Sequence, residues 1–198
     1  MIKAGDNTGM KISRFLSASA LVALSLGVVY AQAGRGRGPG IPPPLKITIP
    51  GYTDGGAIPS TYGCVAGKQG VSPKIDWSGA PEGTQSFAVI LHDTDLQMGP
   101  EDVLHWAIFN IPGTATGLPE GVPLKDKLDD GSVQLQNIGR SMGFYSPCPP
   151  PPTVHHYILE VYALDTKLDP APANRADLLK AVVGHVRAKG TYTGTYHQ

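Results

Sequence analysis

Histidine, aspartate and tyrosine gather at the ends of three apolar runs in this chain. His92-Asp93-Thr94-Asp95 follows Phe87–Leu91 directly, His105 lies inside the run Leu104–Ile111, and His155-His156-Tyr157 opens the run that closes at Leu164. An imidazole donates or accepts according to its protonation, a phenol donates, and a carboxylate beside a histidine orients the ring and fixes its tautomer. Side chains at the ends of core strands reach the edge of a sheet, where several such ends converge on one cleft. The candidate set from the residues alone is Asp93, Asp95, His105, His155 and Tyr157. His92 and His156 alternate with members of that set and are expected to face the other way, as surface or packing residues.

Three chemistries compete for this set. A metal centre would suit histidine and carboxylate, but no H-x-x-x-H, H-E-x-x-H or C-x-x-C spacing is present, so that reading rests on composition alone. A nucleophilic hydrolase using the Asp/His cluster needs a serine or cysteine beside a base. The chain has no G-x-S-x-G elbow, and Cys148 sits among prolines with no helix N-terminus to lower its pKa. The third reading is an anion site, in which histidine, tyrosine and backbone N–H groups donate to phosphate or carboxylate oxygens, and it asks only for hydrogen-bond geometry. A binding module without catalytic residues, metal or cofactor is therefore the expectation.

Such a site needs a rigid frame, and the patterning supplies a sheet. Leu45, Ile47 and Ile49 alternate with Lys46 and Thr48, Ile75-Asp76-Trp77 is a short strand, and the runs from Phe87, Leu104 and Tyr157 have the length and continuity of buried strands. Loops dense in Gly, Pro and Asp separate them. One helix is expected near the C-terminus: Asn174 caps it, Leu178, Leu179, Val182, Val183 and Val186 form one stripe, Arg187 and Lys189 complement its dipole, and Gly190 stops it before β character resumes at Thr191–Tyr196. The class is mainly β with a peripheral helix.

Bulk properties bound the function further. The 198 residues suit one domain, and sixteen basic against sixteen acidic side chains leave no overall field to attract nucleic acid or an anionic membrane. Residues 1–33 read as a secretory signal: Lys11 and Arg14 precede an apolar stretch from Phe15 to Val29, and Ala31-Gln32-Ala33 supplies the small-x-small cleavage pattern. An uncleaved anchor is the competing reading of this segment, and Met10 is an alternative start. Residues 34–44 form a Gly/Arg/Pro-rich flexible leader, and residues 45–198 the folded domain, exported to the periplasm or secreted, with no transmembrane span in the mature chain. Cys64 and Cys148 are then candidates for a disulfide, set against two small buried thiols.

Read in order, Val71-Ser72-Pro73, Trp77-Ser78-Gly79-Ala80-Pro81, Asp93-x-Asp95, His105-Trp106 with Asn110, Tyr145-Ser146-Pro147-Cys148-Pro149-Pro150 and His155-His156-Tyr157 resemble the phosphatidylethanolamine-binding protein family, in its bacterial Raf-kinase-inhibitor-like branch. The resemblance runs from about Leu45 to His197. It implies an antiparallel β-sandwich of two sheets with a few peripheral helices and an anion pocket. It extends the candidate ligand-binding set to Asp93, Asp95, His105, Trp106, Pro147, His155 and Tyr157. It also implies a small anionic ligand, a phosphate or phosphorylated head group, and brings in a second reading, an inhibitor or regulator binding a protease or other protein partner. The chain departs from the family pattern at Thr94, which replaces a proline between the aspartates, at Leu96, which stands near the place of a second proline, and at Ser146 and Thr153, which stand where glycines are usual.

The signal pattern makes a direct prediction. N-terminal sequencing of exported protein is expected to begin at or near Gly34; a mature chain that keeps residues 1–33 would overturn the reading of that segment.

Overall fold

The computed structural model describes residues 43–198. The signal segment 1–33 and the leader as far as residue 42 lie outside the described residues. The leader's last two residues do not hang free of the fold as the sequence reading had them. Pro44 bridges to Lys189, and the Pro43 carbonyl accepts from the Lys189 N–H.

The elements run β1 (Lys46–Thr48), β2 (Gly56–Ala57), β3 (Ile75–Ser78), β4 (Ser86–Met98), β5 (Glu101–Pro112), β6 (Gly117–Leu118), β7 (Val133–Gln134), β8 (His155–Leu164), α1 (Arg175–Ala181) and β9 (Val186–Tyr196). They form a six-stranded sheet in the order β2-β9-β8-β4-β5-β7 and a three-stranded sheet β1-β3-β6. Pairing is antiparallel except at the edge, where the two-residue β2 runs parallel to β9. Among the described residues α1 is the one α-helix, where a few were expected.

The three long apolar runs become the three central strands because both of their faces are covered. Phe87, Val89 and Leu91 of β4 point between the sheets with Leu159 and Val161 of β8, against Ile75, Trp77 and Leu118 of the small sheet. The Trp77 and Phe87 rings meet at 5.0 Å. Ala88 and Ile90 point to the opposite face, where they pack with Phe109, Leu178 and Val182. Each large apolar side chain removed from water in this way contributes about 1.5 to 3 kcal/mol before chain entropy is counted. Asn110, at φ 57°, locks the connection to α1: its side chain accepts from the Leu168 N–H at 2.8 Å and donates to the Leu168 carbonyl at 3.1 Å.

The helix is shorter than its sequence pattern. Asn174 caps it as expected, accepting from the Asp177 N–H at 2.9 Å. It ends at Ala181 with Val182 as C-cap, and Gly184 at φ 84° reverses the chain. Val186, Arg187, Lys189 and Gly190 belong to β9 instead, which pairs with β8 from Val186 to Tyr196. The β-branched valines that make an apolar stripe also suit a strand, and a long ladder with β8 outweighs one more helical turn. Gly190 is no helix stop: a Cβ there would lie 2.6 Å from the Leu45 carbonyl oxygen, so its lack of a side chain lets the chain entering β1 approach β9.

Cys64 and Cys148 are joined, with Cα atoms 5.2 Å apart across a sequence separation of 84. A closed loop of that size stabilises the fold by about 3 to 5 kcal/mol through the entropy removed from the unfolded chain. Replacing both cysteines by serine is accordingly expected to lower the melting temperature by on the order of ten degrees. Thermal denaturation of the variant, with thiol titration of the denatured unreduced wild type, checks this; two titratable thiols in the wild type would refute the bridge.

Candidate functional site

An irregularity in the β4–β5 ladder aims the central histidine. Leu91 faces Trp106 while the next residue, His92, faces Leu104, so His105 is the extra residue of a β-bulge. The bulge turns His105 and Trp106, adjacent in sequence, both into the interior, where they are 4% and 0% exposed. Across the other edge of β4, Asp93 pairs directly with Tyr157, and His155 lies two residues earlier on the same face of β8. Three neighbouring strands thus deliver Asp93, His105, His155 and Tyr157 to one end of the sheet. They line a cavity of about 210 Å³ whose apolar walls include Leu96, Val103, Ile138, Pro149 and Pro150.

His155 donates from Nδ1 to Asp93 Oδ2 at 2.6 Å, and Asp93 Oδ1 accepts the Asp95 N–H at 2.9 Å. His105 donates from Nδ1 to the Tyr145 carbonyl at 2.9 Å, and its ring meets Tyr157 edge-on at 5.2 Å between centroids. The Tyr157 hydroxyl is enclosed beside the Asp93 carboxylate and the Cys148 backbone, with no hydrogen bond of good geometry to either. Burial pushes the His105 pKa below the ordinary histidine value, against the opposing pull of its bond to Tyr145 and the charge on Asp93. Burial likewise raises the Tyr157 phenol, helped by the negative Asp93. Both side chains enter the site neutral.

Three of the seven candidate residues do not line the cavity. Asp95 turns to the outer side, where it accepts the His156 N–H at 2.5 Å and meets His156 Nδ1 at 2.8 Å; the backbone bond holds its carboxyl below the usual range. Trp106 belongs to the core and donates from Nε1 to Gln134 Oε1 at 2.7 Å. Pro147 faces an apolar interior with Tyr52, Leu91 and Phe144, and its carbonyl accepts the Cys64 N–H at 2.8 Å. His92 and His156 do face away from the cavity. His92 is buried on the reverse face and meets Asp102 Oδ2 at 2.5 Å.

Tyr145 and the Pro149-Pro150 wall escaped residue-by-residue reasoning, although they belong to the Tyr145–Pro150 motif. What makes Tyr145 matter to His105 is its backbone carbonyl, which no side-chain pattern reports. The departures from the family pattern are accommodated locally. Ser146 and Thr153 are absent from the positive-φ residues, so neither needs glycine's conformational range. Ser146 Oγ accepts the Gly70 N–H at 2.7 Å, Thr153 caps a turn onto the Pro150 carbonyl at 2.5 Å, and the Thr94 hydroxyl donates to the His156 carbonyl at 3.2 Å. Among the described residues no cluster of three or more His, Cys, Asp or Glu side chains has the arrangement of a metal site. A larger, shallow groove of about 560 Å³ between Thr166–Ala173 and α1 contains Lys167, Asp169, Lys180 and His185, but no buried polar groups converge there.

Comparison with known proteins places this geometry. The family model described as phosphatidylethanolamine-binding protein matches residues 48–197. A UPF0098 protein of Methanothermobacter thermautotrophicus is 43% identical over 156 residues, 78% of this chain and 99% of its own length. YbcL of Escherichia coli is 41% identical over 130 residues, 64% of this chain and 68% of its own. The crystal structure of YbcL, described as a new member of the mammalian PEBP family, superposes with a TM-score of 0.68 at 32% identity, covering 78% of this chain and 98% of that one. The Chlamydia trachomatis homologue CT736, a putative phosphatidylethanolamine-binding protein homologue by its description, gives 0.67 at 30% identity with the same coverage. Because the matched stretch takes in both sheets and every strand that reaches the cavity, the chain belongs to the phosphatidylethanolamine-binding protein family, in its bacterial branch.

Proposed function

We propose that the chain is an exported binding protein that holds a small anionic group, a phosphate or the phosphorylated head group of a lipid, in the cavity between Asp93, His105, His155 and Tyr157. The observation that carries this reading is the convergence of the Asp93–His155 pair, His105 and the unpartnered Tyr157 hydroxyl on one partly apolar cavity. A tetrahedral oxyanion there lies among hydrogen-bonding groups of the two imidazoles and the tyrosines. The apolar rim of Leu96, Val103 and Ile138 suits the carbon skeleton of an ester better than a bare ion alone. Membership of the family supports the ligand class. The Cys64–Cys148 bond and the N-terminal signal pattern support export, since structural disulfides persist in oxidising compartments.

Calorimetric titration with phosphoethanolamine tests the site. His105→Ala and His155→Ala are each expected to weaken binding about tenfold or more, the size of one lost charge-assisted hydrogen bond, and Tyr157→Phe less. His92→Ala, on the reverse face of β4, is expected to bind nearly as wild type. Equal losses at His92 and His105, or no binding by wild type at millimolar ligand, would overturn the assignment.

A further inference from the structure

The side chains lining the cavity include no lysine and no arginine, and the carboxylate of Asp93 is the one formally charged group with a fixed sign among them. Each histidine has already spent its Nδ1 proton, His105 on the Tyr145 carbonyl and His155 on the Asp93 carboxylate. With Nδ1 committed to the Tyr145 carbonyl and burial favouring the neutral ring, His105 presents a lone pair at Nε2. The donors left on side chains are the hydroxyls of Tyr157 and Tyr145. From β4 the cavity faces Asp93, from β5 His105, from β8 His155 and Tyr157, and from the loop before Cys148 Tyr145; Asp95 and His156 are paired with each other outside it.

An anion without a proton would meet the Asp93 carboxylate and the His105 lone pair with neither lysine nor arginine to offset them, at a site where burial strengthens every such term. Resting on the anion reading above, we propose that the cavity recognises an oxyanion that brings its own proton. The protonated oxygen of a phosphate monoester donates to His105 Nε2, while its remaining oxygens accept from the tyrosine hydroxyls. A sulfate ester has the same shape and carries no proton at neutral pH, so the site excludes it. The lowered proton affinity of buried His105 supports this division of labour, since the ring does not readily supply the proton itself.

The test pairs phosphoethanolamine with 2-aminoethyl sulfate, titrated calorimetrically into the wild-type protein between pH 5.5 and 8 in two buffers of different ionisation enthalpy. At pH 5.5, where the phosphate ester keeps its proton, the sulfate ester is expected to bind at least about tenfold more weakly, and its affinity is expected to stay flat as pH rises. Affinity for the phosphate ester is expected to fall as pH rises above the second phosphate pKa near about 6, approaching about tenfold per pH unit, with uptake of close to one proton per ligand at pH 8. Equal binding of the two esters at pH 5.5, or phosphate binding without proton uptake at pH 8, overturns the inference and leaves the anion site standing. Binding of neither ester overturns both.

Discussion

Because strand side chains alternate, His105 and Trp106 belong on opposite faces of the sheet unless the pairing absorbs an extra residue, and the bulge opposite Leu91 and His92 does so. Every other feature of the site is arranged around the result. Trp106 fills the interior and is anchored by Gln134, which leaves His105 at the cavity edge with its Nδ1 held by Tyr145. On the opposite edge of β4, regular pairing with β8 sets Asp93 against Tyr157 without any irregularity. One strand is thus read in two ways, with a displaced register toward β5 and a plain one toward β8, and the cavity opens where the two meet.

The reverse face of the same strands carries a second polar assembly. His92 meets Asp102, Asp102 pairs with Arg175 at the start of α1, and Glu160 receives Lys189 and the Tyr162 hydroxyl at 2.7 Å. Glu160 Oε2 lies 4.0 Å from His92 Nε2. Such half-buried pairs contribute little net stability once desolvation is counted, yet removing one partner strands the other. Their structural effect is to bind the first turn of α1 to β5 and to keep His92 on the reverse face.

How much of this was legible in the sequence depended on whether the determining contact was local. The continuous apolar runs from Phe87, Leu104 and Tyr157 are strands in the structure, because residues buried on both faces leave a pattern no loop can share. Asp93, His105, His155 and Tyr157 stand out because polar side chains at the ends of such runs need a reason to be there. The family resemblance brings Trp106 and Pro147 into the candidate set, but the bulge and the Cys64 contact that place them elsewhere are set by distant segments. The helix was drawn too long for the same reason: Val186 and Gly190 are committed by β8 and by the chain entering β1, neither of which shows in their own neighbourhood. Ser146 and Thr153 departed from the family pattern without cost because the structure supplies Gly70 and Pro150 as partners.

The bond between Cys64 and Cys148 also divides the molecule unevenly with respect to proteolysis. The exposed stretch Pro123–Lys127 lies inside the closed loop, so a nick there leaves both pieces joined through sulfur. The exposed stretch Pro150–Val154 lies just beyond it, and a cut there leaves β8 and β9 retained by non-covalent contacts alone. His155 and Tyr157 sit on that unsecured side, while Asp93 and His105 sit on the other. Two residues past the disulfide, a single peptide bond decides whether the halves of the cavity remain one covalent chain.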